Sequence, residues 1–348
     1  MIDESSSDSL QRCSQLIQKE LRSTLEILSD ANGPSIADGA AVRGGAGIFE
    51  HQAQCPFKAF ARHRLLGQLL EDASPGIDSR IKGNLLHTAM EILWQKTGNL
   101  KSLTALDDKA LSELVTCCIG DAIERESEKN RLGESPQLLT LEQSRLHTLI
   151  IKWLQAHEMK RVDFEVIDTE KSLEVVIQDM RFELKVDRID RLDSGEEIVI
   201  DYKTGKNNSP GGWSHERMSN PQLPLYAVTQ DDIKGLAFAQ IARDESAFKG
   251  LAERKDLIKG LAEKINKSSK TAEAASNAED WPARIEFWRE QTEMLAKEIK
   301  NGLAIVDPQP NACTYCDYAS LCRIDPLRLD ALGDEDSNEG TSFSAGSS

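Results

Sequence analysis

The chain has 348 residues, 39% of them hydrophobic and 29% charged, with a formal net charge of −16 at pH 7. That length can bury a sizeable core, and no apolar run approaches membrane-spanning length, so the composition describes a soluble globular protein and excludes a membrane-embedded or wholly disordered one. The acidic surplus excludes broad nucleic-acid affinity from overall charge alone, because such affinity comes from lysine and arginine neutralising phosphates.

The start, Met1-Ile-Asp-Glu-Ser-Ser-Ser, lacks the basic and apolar regions of an export signal, so a cytoplasmic location is expected. Residues 1–47 read as a flexible segment, with one helix near 10–28 and then a linker rich in Gly, Ala and Ser. One ordered domain is expected over 48–332. Hydrophobic periodicity predicts helices over 53–66, 79–96, 107–129 and 138–159, then strands over 164–177, 181–192, 197–203 and 233–242. Residues 244–303 read as helix broken by the polar stretch 268–279, and 333–348 as a disordered acidic tail. The fold class that follows is α/β: a mixed central sheet flanked by helices, with an N-terminal helical part and a C-terminal cysteine-bearing loop.

The densest chemical signal is Ile198-Val-Ile-Asp201-Tyr-Lys203-Thr-Gly205, preceded by Asp187-Arg-Ile-Asp190. Strand side chains repeat with period two, so Asp201 and Lys203 share a face. Asp187 joins that face if the connecting loop has an odd number of residues, and Ser194-Gly195-Glu196 fits three, with Gly195 in the left-handed position. Asp187 is then opposite Lys203 and diagonal to Asp201, while Asp190 points to the other face as a partner for Arg188 or Arg191. Two carboxylates and a lysine around a divalent cation suit phosphodiester hydrolysis. A solvated hairpin rich in charge would carry the same residues.

Further motifs stand in a fixed order along the chain: Gly83-Asn-Leu-Leu-His87, Asp187-Arg-Ile-Asp190, Asp201-Tyr-Lys-Thr-Gly205 and Gln222-Leu-Pro-Leu-Tyr226. On these, between about Phe49 and Leu327, the chain resembles the PD-(D/E)XK nuclease superfamily in its branch with the RecB and AddB recombination nucleases. One departure is Leu184, where many relatives place glycine. The resemblance implies a restriction-endonuclease-like fold. It also implies a Mg²⁺ or Mn²⁺ site built from His87, Asp187, Asp201 and the Tyr202 carbonyl, with Lys203 acting on water. Gln222 and Tyr226 would steady the lysine region and the DNA backbone, from a helix that Asn220 could cap and Pro221 could open. Glu170 stands where relatives often place an acidic residue. An imidazole ligand suits Mn²⁺ better than Mg²⁺. A histidine flanking an apolar helical stripe, as His87 does, is also a common core-boundary residue.

Three of the seven cysteines lie in Cys313-Thr-Tyr-Cys316-Asp-Tyr-Ala-Ser-Leu-Cys322. Four thiolates bind Zn²⁺ or an iron-sulfur cluster, and spacing does not separate the two. Related AddB-like nucleases pair such a trio with one early cysteine, which makes Cys55 the fourth member and 4Fe-4S the implied cofactor. The cluster would close a loop of roughly 250 residues as a structural staple. Disulfides or free thiols are the alternative. Cys13, Cys117 and Cys118 read as spectators, the last two as small buried hydrophobes in a helix.

Lys58, Arg62, His63 and Arg64 stand together without an acid, on a helix whose Phe57, Phe60 and Ala61 would pack inward while the bases meet phosphate. The expected activity is metal-dependent DNA hydrolysis, most simply exonuclease action on single-stranded ends in repair or recombination. No phosphate-binding Gly-x-x-x-x-Gly-Lys-Ser/Thr loop is present, so a helicase would be a partner or another domain. A noncatalytic DNA-binding or scaffolding module of a helicase-nuclease complex is the alternative.

Overall fold

The computed structural model describes residues 31–69, 76–130, 136–205, 209–230, 232–263 and 280–324. The helix expected at 10–28, the polar stretch at 268–279 and the acidic tail fall outside these. The chain opens with β1 (Ala41–Val42), then α1 (Ala46–Gln54) and the short α2 (Pro56–Ala59), which runs into a π-helical turn, Phe60–Arg64. Helices α3 (Ser79–Thr97), α4 (Leu100–Thr104), α5 (Asp108–Asn130) and α6 (Pro136–Ala156) follow, and a 3-10 turn, Glu158–Lys160, leads into the sheet. The sheet strands are β2 (Phe164–Ile177), β3 (Met180–Leu192) and β4 (Glu197–Lys203), then, after the short α7 (Gln222–Ala227), β5 (Ile233–Gln240), β6 (Ala247–Ala252) and β7 (Leu261–Ala262). The chain closes with α8 (Trp281–Lys300) and the four-residue α9 (Ala319–Cys322).

These strands form one seven-stranded mixed sheet. β2 lies antiparallel along one edge of β3, while β1 (parallel) and β4 (antiparallel) share its other edge. β4 pairs parallel with β5, β5 antiparallel with β6, and β6 parallel with β7. β4 is central, and its residues are buried up to the half-exposed Lys203, which is why its sequence is apolar on both faces. One core cluster joins a sheet face to α3, α5 and α6 through Leu86, Leu93, Val115 and Trp153. The other joins the opposite face to α1, α7 and α8 through Phe49, Leu225 and Trp288. The sheet is thus sandwiched between helices, as expected.

Local chemistry sets the helix ends. Asp78 accepts from the Arg80 amide before α3, and Gly98, at φ 71°, closes it in the left-handed conformation. Asp280 accepts from Ala283 and Pro282 occupies the first turn of α8.

Several expectations are corrected. The linker expected through Gly47 instead supplies β1 and the start of α1. The single helix expected at 53–66 is broken at Cys55, whose extended backbone (φ −169°) precedes Pro56, as residues before proline commonly are. The helix expected over 244–303 exists only as α8, because Phe248, Gly250 and Ala252 alternate with Leu251 as a strand. Gly250 is needed there: an added Cβ would lie 1.9 Å from the Leu236 carbonyl oxygen of the paired strand. Asn220 does not cap α7; it sits at φ 51° and its carbonyl accepts from the Trp213 indole. Cys118 packs in the core as expected, but Cys117 is exposed beside Lys96, 3.3 Å from its ammonium. Among the described residues, no helix is long and apolar enough to cross a membrane.

Candidate active site

The β3–β4 hairpin decides where the carboxylates stand. Its loop is Asp193-Ser194-Gly195, one residue earlier than expected, because Leu192 donates to the Glu196 carbonyl at 2.9 Å. Gly195 takes the left-handed position at φ 97°. Arg188 pairs with Ile200 and Ile189 with Val199, which continues to place Asp187 opposite Asp201 rather than opposite Lys203. The parity argument survives this shift, since the pairing sum remains even. Ladder pairing stops at Ile200, and beyond it the Tyr202 amide donates to the Asp187 carboxylate at 2.8 Å. Strict alternation also fails on β3: Val186 and Ile189, three apart, pack in the same core, so both Asp187 and Arg188 reach α3.

His87, on α3, has Nδ1 3.2 Å from Asp187 Oδ2, and its ring edge meets the Tyr202 ring at 5.9 Å. Glu170, on β2, lies opposite Asp187 by the β2–β3 register and adopts φ 51° in mid-strand, a strained backbone for a glutamate. Ligand atoms of His87, Glu170 and Asp187 all stand within 4.8 Å of one another, the one such set of three or more among the described residues. Asp201 is buried, and Lys203 Nζ lies 2.7 Å from its Oδ2. The two form a close ion pair, with the carboxylate buried and the ammonium half-exposed. Of the residues singled out from sequence, His87, Asp187, Asp201, Tyr202 and Lys203 converge. Glu170 moves from the margin to the centre.

Electrostatics follow from that crowding. Burial disfavours the ionised Asp201 carboxyl and the charge of Asp187 adds to it, so despite Lys203 its pKa is pushed up to about 6. Burial works the same way on Asp187, but the hydrogen bond and charge of His87, with the Tyr202 amide, outweigh it and hold Asp187 low. His87 is raised, the pull of Asp187 exceeding the cost of burial. Lys203 is likewise raised, because Asp201 outweighs burial, and it stands as an ammonium.

Beneath the site lies an ion network that sequence reading found only in part. Arg188 chelates Asp190 at 2.5 and 2.6 Å, as one expectation had it, and bonds Glu158 at 2.8 Å. Arg161 joins the same two carboxylates at 2.6 and 3.0 Å. Arg191 pairs with Glu197 instead. The Arg188 guanidinium stacks 3.8 Å from the Trp94 ring, and the Tyr202 hydroxyl accepts from Trp94 Nε1 and Arg188. Glu158 and Arg161 carried no motif and are brought in by the turn before β2.

The Gln222 and Tyr226 pair divides. Gln222 donates to the Lys185 carbonyl at 3.3 Å, at the rim of the site. Tyr226 turns into the core, its hydroxyl without a hydrogen-bond partner and its pKa pushed up to about 12 by burial.

The cysteine loop packs against the first helices. Gln309 donates to the Gln54 carbonyl at 2.8 Å and Phe57 to Ile305 at 3.0 Å, so Cys55 meets the chain that leads to Cys313. The Cys313 thiol is raised by burial first, and Cys316, Cys55 and Cys322 add to that in the same direction. No disulfide joins them. Of the basic residues nearby, Lys58 bonds Gln54, Arg62 lies 3.9 Å from Asp317 and Arg64 donates to the Pro34 carbonyl. Phe57 and Phe60 are only partly buried, and Ala59 and Ala61 form the inward face.

No curated protein matches the chain. A solved structure, "Crystal structure of SSO0001", is similar at 11% identity over 80% of this chain and 94% of that one, but at a TM-score of 0.22 the superposition is too loose to bear on fold or function. The family model of the PD-(D/E)XK nuclease superfamily matches residues 47–323, spanning every motif and the cysteine loop. The chain belongs to the PD-(D/E)XK nuclease superfamily.

Proposed function

We propose that the chain is a Mg²⁺- or Mn²⁺-dependent deoxyribonuclease, an exonuclease on single-stranded ends that serves DNA repair or recombination in the manner of the RecB and AddB nucleases. The observation that carries this is the convergence of His87, Glu170 and Asp187 within 4.8 Å, beside the buried Asp201 carboxylate and its Lys203 partner. Carboxylates crowded together out of water repel one another, and a divalent cation relieves that cost. These residues fit the ion, with the Tyr202 carbonyl as a further candidate ligand. When bound, the cation supplies Lewis-acid polarisation of the phosphodiester and lowers the pKa of water.

The chain's own groups do the rest. Asp201 keeps Lys203 protonated and holds its Nζ in place, so the lysine donates to the attacking water or to a phosphate oxygen as negative charge grows there. The Tyr202 amide and His87 fix the Asp187 carboxylate from two sides.

Four thiolates suit either zinc or an iron-sulfur cluster, and the resemblance to the AddB-like nucleases favours the latter. A 4Fe-4S staple held by Cys55, Cys313, Cys316 and Cys322 suits a reducing, cytoplasmic setting. With a net charge of −16, strand delivery by a helicase partner or a further domain follows.

The test is cleavage of single- and double-stranded DNA by the intact chain with Mg²⁺ or Mn²⁺, wild type against Lys203→Ala. Metal-dependent loss of nucleotides from single-stranded ends, abolished in the variant, is expected. Equal cleavage by both would overturn the role of Lys203, and absence of cleavage by anaerobically prepared wild type would overturn the enzyme.

A further inference from the structure

Lys185 stands two residues before Asp187 on β3, and its ammonium forms an ion pair with Glu170. The Lys185 side chain is 63% exposed and that of Glu170 only 17%, so the lysine faces solvent at the mouth while its partner lies within. Gln222 holds the same residue from behind by donating to its carbonyl. The charges around the mouth make this placement consequential. Glu170 and Asp187 stand together with His87, Asp201 lies across the hairpin beside Lys203, and Glu50 also acts on Lys203, so carboxylates outnumber the fixed ammonium groups here. Glu91, one helical turn beyond His87, is already paired with Arg125 at 2.9 Å. A polyanionic strand entering such a site meets a surplus of carboxylate, and Lys185 is an exposed ammonium placed to offset it.

We propose that Lys185 is a substrate-binding residue: its ammonium contacts a backbone phosphate of the nucleic acid while its pairing with Glu170 keeps it at the mouth. This deepens the nuclease reading and rests on it. A point charge on a flexible stem can hold a carboxylate on one side and a phosphate oxygen on the other, since an ammonium has three donors.

Binding separates this role from a structural one. The intact chain is titrated with a fluorescent single-stranded oligonucleotide in Ca²⁺, across a range of KCl concentrations, and Mn²⁺ binding is followed separately by electron paramagnetic resonance. Lys185→Gln is expected to weaken DNA binding about tenfold at low salt and to reduce the slope of log affinity against log salt by about 0.7, the value for one phosphate contact to a single strand. Mn²⁺ affinity should stay equal or improve, as Glu170 loses a competing cation. Lys185→Arg should restore the slope, and Lys109→Gln, a charge loss on α5, should leave it unchanged.

An unchanged slope in Lys185→Gln overturns the proposal. A fall in Mn²⁺ affinity with unchanged DNA binding also overturns it, and makes Lys185 a support for Glu170. A wild type that binds neither Mn²⁺ nor DNA sinks the nuclease reading itself, and this assignment with it.

Discussion

Replacing Lys203 by alanine removes one donor from the developing charge and is expected to lower kcat about 100- to 1,000-fold. Isothermal titration with Mn²⁺ should show binding retained, because the carboxylates and His87 remain; lost Mn²⁺ binding would show instead that Lys203 organises the ligands. Asp201 sets the pH dependence. Its pKa is raised to about 6, so it carries a proton below that pH, and a cation must displace that proton to use the carboxylate. Half-saturating Mn²⁺ should therefore fall as pH rises through about 6, with proton release on binding, and Asp201→Asn should flatten the profile. Asp187 is held low and remains available across this range. His87 is raised, so its imidazolium adds to the same trend, weakening the site on the acid side.

At the scale of elements, the hairpin is stiffened from below by Arg188, Glu158, Asp190 and Arg161, all buried. Arg188→Ala would leave Glu158 and Asp190 sharing Arg161 as their one remaining cation in the network and is expected to cost about 3–5 kcal/mol in urea unfolding. A cost under about 1 kcal/mol would show that water enters the cavity and that the network is dispensable. On the neighbouring ladder, Gly250→Ala forces a methyl group against the Leu236 carbonyl and should destabilise by about 1–3 kcal/mol without changing Mn²⁺ affinity, since β6 lies away from the ligands. The pattern of β6 shows why helix was the wrong expectation for 244–303. Its inward residues include Ala and Gly, which carry no strand signal, and only pairing with β5 gives them a partner surface.

For the whole molecule, the sheet binds the early helices to the last segment through α8, and the cysteine loop fastens the same two regions again. An anaerobic preparation is expected to be brown, with about four irons per chain. Cys55→Ser or Cys322→Ser should bleach it and lower the melting temperature while the far-ultraviolet circular dichroism at 20 °C stays near that of wild type, because two hydrophobic cores persist without the staple. A colourless wild type with one zinc would replace iron in this account.

Long, strongly patterned elements were legible in the sequence: α3, α5, α6 and the strands β2 to β5 follow from their apolar periods, and the hairpin parity put Asp187 and Asp201 together. Their spacing alone also named Lys203. What the tertiary structure decided depends on approach between distant segments, which no local pattern encodes. Glu170 becomes a ligand candidate through its register with Asp187 and an unusual backbone angle, and Glu158 and Arg161 matter because a turn buries them under Arg188. Lys185 gains meaning only from the partner it meets. Sequence determines which side chains can carry charge and how each segment alternates; folding decides which charges face one another, because burial and pairing energies belong to contacts rather than to residues.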